Sequence, residues 1–190
     1  MSGIGVNATT KAEVLIRAAM LLEARLPDFA NRVFVVVDDV IPKSMQNNSV
    51  LTVQITGGHF DNGAMTGGGS NVVLYAGTLR VAIWSSNRTD RAGAGVSMLT
   101  ASGRGLLRLE TKIIKALVGS YLHEEAAGND GFTPILIDAI KPLTDTQAQS
   151  AEKESGTSQK ATLAVDFQVD FKWNLDGDLD NEPNPIEEDP

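Results

Sequence analysis

Residues 161–173 read ATLAVDFQVDFKW. Leu163, Val165, Phe167, Val169, Phe171 and Trp173 fall on one face of an extended chain, and Thr162, Ala164, Asp166, Gln168, Asp170 and Lys172 on the other. A period of two held over this length specifies a β-strand with one apolar face. The chain must therefore contain a sheet with something apolar laid against it. A strand so late in a fold also raises the question of whether it lies at a sheet edge, where unpaired backbone groups are open to another chain.

The partners for that face are written in two amphipathic segments. Thr10 and Glu13 have capping-box spacing, in which the hydroxyl accepts from an early amide and the carboxylate reaches back. Val14, Leu15, Ala18, Leu21, Leu22 and Leu26 follow at helical spacing, and Pro27 ends the run, predicting a helix over about residues 11–26. In RGLLRLETKIIKALVGSYL, Leu106, Leu109, Ile113, Ile114, Leu117 and Tyr121 gather on one side of a second helix. Arg104, Arg108, Lys112 and Lys115 form a narrow stripe on the opposite side.

Between the helices, RVFVVVDDV is a β-branched run that reads as a strand covered on both faces near the middle of a sheet. VLTVQIT alternates, with Leu51, Val53 and Ile55 on one side. The six glycines of segment 57–71 predict a hairpin tip with no core of its own. NVVLYAGTLRVAIWS resumes the strand signal, and Gly77 marks either a turn between two strands or, the preferred reading, a bulge in one long strand. FTPILIDAI reads as a further strand, and the polar segment 143–160 as an arm joining it to the closing strand. The order helix, three strands, helix, two strands is an α+β plan: a mixed or mostly antiparallel sheet of four to five strands with two helices packed on it. One domain is expected over residues 1–173, with 57–71 and 143–160 as insertions, followed by a disordered acidic tail, 174–190.

Charge is unevenly spread. The net charge is −8, but residues 174–190 hold seven acids and no Lys or Arg, and without them the net falls to −1. Residues 80–115 carry Arg80, Arg88, Arg91, Arg104, Arg108, Lys112 and Lys115 against Asp90 and Glu110, a local net of +5. A polarised chain of this kind suits charged partners or copies of itself. The candidate interaction residues are Arg88, Arg91, Arg104, Arg108, Lys112 and Lys115, although a charged outer helix face is ordinarily just a solvated one. No aromatic residues interleave with these cations, so nucleic-acid readout by stacking is disfavoured.

A search for reactive chemistry returns little. The chain has no cysteine, which excludes thiol chemistry, disulfides and cysteine-ligated zinc. His59 and His123 lack metal-motif spacing and read as solvated. ASGRG and GGGSN lack the lysine and Ser/Thr of a P-loop, and there is no G-x-S-x-G elbow. Asp38 and Asp39, adjacent on a strand, point to opposite faces and read as turn-proximal polar residues. Asp176, Asp178, Asp180 and Glu187 match four positions of a calcium loop, but Asn181 replaces its glycine and Pro183 interrupts it. No apolar run reaches the ~20 residues that span a bilayer, and MSGIGVNATTKAEV lacks the pattern of a secretory signal. No cofactor and no membrane partner are expected.

With the strand TLRVAIWSSNRTDR, the helix RGLLRLETKIIKAL and the closing hairpin PILIDAI…ATLAVDFQVDFKW in view, the chain resembles the phage tail terminator or tail-completion proteins. These minor structural proteins cap the tail tube of long-tailed phages at the neck. The likeness covers about residues 9–173 and rests on element order, on a strand ending in an apolar-Trp-Ser turn into a helix, and on Asp-Phe alternation in the last strand. It implies an α+β subunit without enzymatic activity that forms a homohexameric ring on the last tube ring. That ring ends tube polymerisation and docks head-completion or neck proteins. It further implies a place in the virion at the head–tail junction after assembly in the host cytoplasm. The partners implied are copies of itself, the tail tube protein, neck proteins and, in passing, genomic DNA. The basic stripe would face either the DNA channel or a neighbouring subunit. A strongly attractive lumen would impede ejection, because each phosphate contact strengthens binding. The rival readings are another neck or head-completion adaptor, a tail tube protein, and, from a different class, a small binding module or phosphate-handling enzyme using SNRTDR and the stripe.

Overall fold

The computed structural model describes residues 8–37, 50–60, 72–85, 106–124, 133–150 and 161–175. Helix α1, Lys11–Arg25, begins where the sequence predicts: Thr10 Oγ1 accepts from the Glu13 amide at 3.0 Å. The return half of the capping box is replaced, because the Glu13 carboxylate takes the Nε–H of Arg17 at 2.5 Å, one turn on. Leu26 closes the helix by donating its amide to the Leu22 carbonyl. Pro27 then opens a single 3₁₀ turn, Pro27–Phe29, since proline cannot supply the next helical amide.

The sheet contains β1 (Val33–Val35), β2 (Val50–Phe60), β3 (Val72–Ser85), β6 (Lys141–Ser150) and β7 (Ala161–Asn174), in the order β1-β2-β3-β7-β6. β1 runs parallel to β2 and the other pairs are antiparallel. The fold is the α+β plan read from the sequence: a five-stranded mixed sheet and two helices, the second being α2, Leu106–Leu117.

The closing strand is interior. β7 pairs β3 without interruption from Ser85↔Ala161 to Val72↔Asn174, and its other side meets β6 from Ala161 to Gln168. Beyond Gln168 that second side is met by Leu136, bridged to Phe171, and by Thr9, bridged to Trp173. The Thr9 amide donates to the Lys172 carbonyl at 2.7 Å, and the Asn174 amide donates to the Thr9 carbonyl at 2.8 Å. The start of the described chain is thereby tied to the end of the last strand.

The apolar face of β7 is the floor of the core. Phe167, Val169 and Phe171 are fully buried with Leu51, Val53, Leu79, Val81 and Ile83 of the neighbouring strands. Val14, Ala18 and Leu22 of α1, and Leu109, Ile113, Ala116 and Leu117 of α2, pack on this same face. The opposite face is more polar. Trp84 Nε1 donates to Thr52 Oγ1 at 3.1 Å, and Arg80 grips Asp166 through two bonds, Nε–Oδ1 2.8 Å and Nη2–Oδ2 2.9 Å. Thr52, Gln54 and Asp166 are nonetheless buried.

Four expectations are corrected. RVFVVVDDV does not form a central strand. β1 has three residues and occupies an edge, with Val35 45% exposed and Val37 fully exposed. β-branched composition favours a pleated conformation but does not distinguish a middle strand from an edge. Second, the glycine hairpin tip does not start at residue 57, because β2 continues to Phe60 and His59 pairs with Ala76. Third, the bulge is not at Gly77. β3 is one long strand, as preferred, and the register shift lies on β2 between Ile55 and Gly57. Fourth, FTPILIDAI is no regular strand. Only Thr133–Pro134 (β5) pairs with His123–Glu124 (β4), and the strand laid on β7 is the polar KPLTDTQAQS instead. A lysine- and proline-bearing polar strand is a common edge solution, since both residues discourage unwanted pairing.

α2 ends at Leu117, with Gly119 at φ 81 just beyond, the left-handed geometry that closes helices. Tyr121 therefore lies past the helix and is 44% exposed, not on its apolar stripe. Asp38, Asp39, the segment 61–71, residues 151–160 and the tail from Asp176 lie outside the described residues.

Candidate interaction surfaces

The basic stripe survives in part as a surface. Arg108, Lys112 and Lys115 are exposed on α2, at intervals of four and three residues that keep them on one side. Arg88, Arg91 and Arg104 lie outside the described residues. Arg80, counted with the basic region, is committed to Asp166 within the sheet.

Lys112 and Lys115 border a groove that periodicity alone does not reveal. Its other wall comes from the end of α1 and the 3₁₀ turn, and its volume is about 330 Å³. Leu26, Pro27, Phe29 and Ala116 give it apolar surface, while Arg25, Lys112 and Lys115 bring three cations against one carboxylate, Asp28. Arg25 Nη1 donates to the Ala116 carbonyl at 2.8 Å, joining the two helices where α2 has carbonyls to spare. Lys112 approaches Asp28 at 3.5 Å in an exposed, loose ion pair. Lys115 makes no ion pair among the described residues. The sequence signal for the second wall was Arg25 in the last helical turn before Pro27, which reads on its own as a dipole partner.

The far end of α1 meets an aromatic cluster. The shift on β2 advances its phase by one residue, so Phe60 faces Tyr75 instead of the opposite side. Phe60 stacks on Trp173 at 5.7 Å and 8°, and Tyr75 stands edge-on to Trp173 at 5.3 Å. Lys11 Nζ sits 3.8 Å from the Trp173 ring centre and 4.5 Å from that of Tyr75. Beneath Tyr75, Gly58 and Gly77 are cross-strand partners. A Cβ on Gly58 would lie 2.5 Å from the Tyr75 ring and from the Ala76 carbonyl oxygen, and one on Gly77 2.7 Å from the ring. Two glycines in register thus make the recess that the tyrosine fills. Burial pushes the Tyr75 phenol above its ordinary pKa of 10.0.

The remaining features are two sheet ends. Among the described residues β1 and β6 each have a strand neighbour on one side only. His59 and His123 are exposed on separate sheets. Among the described residues no group of three His, Asp or Glu is placed to hold a metal ion, and no helix is long and apolar enough to cross a membrane.

No protein-family model and no curated protein matches the chain. Among solved structures, a chain of the virion of a native gene transfer agent particle is similar, with 14% identity and a TM-score of 0.43 over 84% of this chain and 90% of that one. At that distance the surfaces above are read from this chain's own residues.

Proposed function

We propose that this chain is a structural subunit of a phage-like virion. More specifically, it is a tail terminator that closes the tail tube as a ring at the head–tail junction and presents a docking surface to neck proteins. The observation that carries the reading is the pair of one-sided strands. Among the described residues the sheet ends in β1 on one flank and β6 on the other, two unlike edges on opposite sides of the sheet. Contacts between unlike surfaces of identical subunits are heterologous, and they generate rings when the rotation closes. The apolar Val35 and Val37 at the β1 flank, which a monomer leaves in water, fit a buried role between subunits. The resemblance of its sequence to tail-completion proteins supports the same reading, as does the uneven charge. Catalysis plays no part in this account.

Electron microscopy and native mass spectrometry of the purified full chain test it. A single closed ring, expected to be a hexamer, that binds tail tube protein and halts its growth is the predicted result. Open-ended tubes of the chain itself would favour a tube subunit. A monomer indifferent to tube protein would overturn the proposal.

A further inference from the structure

Two groups of large apolar side chains stand exposed at opposite edges of the sheet. At the β1 edge, Val33 and Val35 pair with Leu51 and Val53 and so share the face on which the helices lie. Val33 packs against the core there, but Val35 and Val37 are exposed. At the β6 edge, Val118, Tyr121, Ile137 and Leu143 are exposed. Backbone bonds hold together the segments that carry them. The Gly119 amide donates to the Ile140 carbonyl at 3.1 Å, the Ile140 amide to the Ser120 carbonyl at 2.8 Å, and the Leu136 amide to the Tyr121 carbonyl at 3.1 Å. The Val118 amide still bonds to the Ile114 carbonyl of α2, so this second patch borders the helix layer as the first does.

We infer that the β1 edge of one copy seats against the β6 edge of the next: Val35 and Val37 lie on Val118, Tyr121, Ile137 and Leu143, and Arg32 faces Asp138. This rests on the ring reading for its partner, a second copy of the chain, and names the surface that β1 meets. The patches are unlike and occupy opposite edges, so a copy that uses both is joined head to tail. Copies set side by side in one orientation bring the two edges together with their helix layers level.

Charge agrees. Arg32, directly before β1, meets the Asp28 carbonyl and the Phe29 ring and has no carboxylate partner among the described residues. Asp138, beside Ile137, has a side chain 56% exposed and gives one oxygen to Lys141 at 2.9 Å, which leaves acceptor sites on the other. Lys141 opposes an incoming Arg32, so this pair fixes the register of the contact more than its strength. Area points to a ring over an isolated pair. A stable interface buries about 1,600 Å², of which six partly exposed side chains supply only a fraction. Two copies alone therefore separate readily, whereas ring closure holds every copy at both edges.

The chain has no cysteine, so introduced thiols report only the contact they span. Val37→Cys and Leu143→Cys, both at exposed positions, are purified as full chains, checked by circular dichroism against the parent, and oxidised alone and as a mixture. Ile137→Cys provides a second probe on the same patch. The expected result is a severalfold higher yield of disulfide dimers in the mixture than in either variant alone. Asp138→Arg in the Leu143→Cys chain should lower that yield severalfold, and Arg32→Glu in the Val37→Cys chain should restore it. No enrichment in the mixture overturns the inference, as does a majority of Val37→Cys homodimers or an unchanged yield with Asp138→Arg. Electron microscopy of the parent chain separates this contact from the ring reading. Closed rings without mixed disulfides keep the ring and overturn the contact, whereas mixed disulfides within open chains of copies keep the contact and overturn the ring.

Discussion

Lys11 Nζ stands 3.8 Å from the centre of the Trp173 indole. One residue opens the first helix and the other nearly closes the last strand, so the contact fastens the two ends of the described fold beside the Thr9 bridge. An ammonium over an indole face is held by the ring's negative quadrupole, and partial desolvation strengthens the attraction. Lys11→Met keeps the aliphatic stem and removes the charge. It should cost about 1 kcal/mol in urea denaturation, with a larger rise in hydrogen exchange at residues 9–13 than in the sheet centre.

The Gly58–Gly77 pair makes a sharper demand. In Gly58→Ala the new methyl meets the Ala76 carbonyl oxygen as well as the Tyr75 ring, each at 2.5 Å. Backbone cannot step aside as a side chain can, so a loss of about 3 kcal/mol is expected, at the upper end for overpacking. Gly77→Ala meets mainly the ring and should cost less. A double variant with Tyr75→Ala should recover part of the Gly77→Ala loss but little of the Gly58→Ala loss.

Arg80 and Asp166 are cross-strand partners joined by two bonds, with the Asp166 side chain 11% exposed. Removing Asp166 takes both of these bonds from the Arg80 guanidinium in a partly dry site. Asp166→Ala should therefore destabilise the fold by about 2 kcal/mol. The double variant Arg80→Leu/Asp166→Leu should recover most of that loss, because it leaves no charge behind. Chemical denaturation of the parent, Arg80→Leu, Asp166→Leu and the double variant closes a cycle that yields the coupling directly.

Those three sites show what the sequence could and could not announce. The alternation in 161–173 fixes which face of β7 is apolar, and the helical spacing around Leu22 and Ile113 fixes what covers it. Each of these is a local, repeated signal. The position of a strand within its sheet is a pairing property, so the valines of 33–37 looked central and lie at an edge. Likewise the bulge moved from Gly77 to its partner strand, because a glycine in one strand and an extra residue in the next produce similar local signals. The groove was legible only by half. Its α2 wall shows as a basic stripe, whereas its α1 wall depends on how two helices distant in sequence meet at Arg25 and Ala116.

Tyr75 supplies a pH signature. Burial raises its folded pKa above the unfolded value near 10.0, so between those two values the unfolded chain holds fewer protons than the folded one. Stability must therefore fall as pH rises above about 10. The chain has two tyrosines, and Tyr121→Phe leaves Tyr75 as the sole phenol. Its ultraviolet titration should have a midpoint above 10.0, and Tyr75→Phe should flatten this alkaline loss of stability.

The proposed ring at the head–tail junction is tested most directly by a reconstruction of the neck of an intact particle, resolved well enough to trace side chains. The account predicts one closed ring of this chain between the last tube ring and the neck proteins, with β1 of each subunit facing a different surface of the next. A particle neck that lacks this chain, or holds it as isolated copies with β1 exposed to solvent, would contradict it.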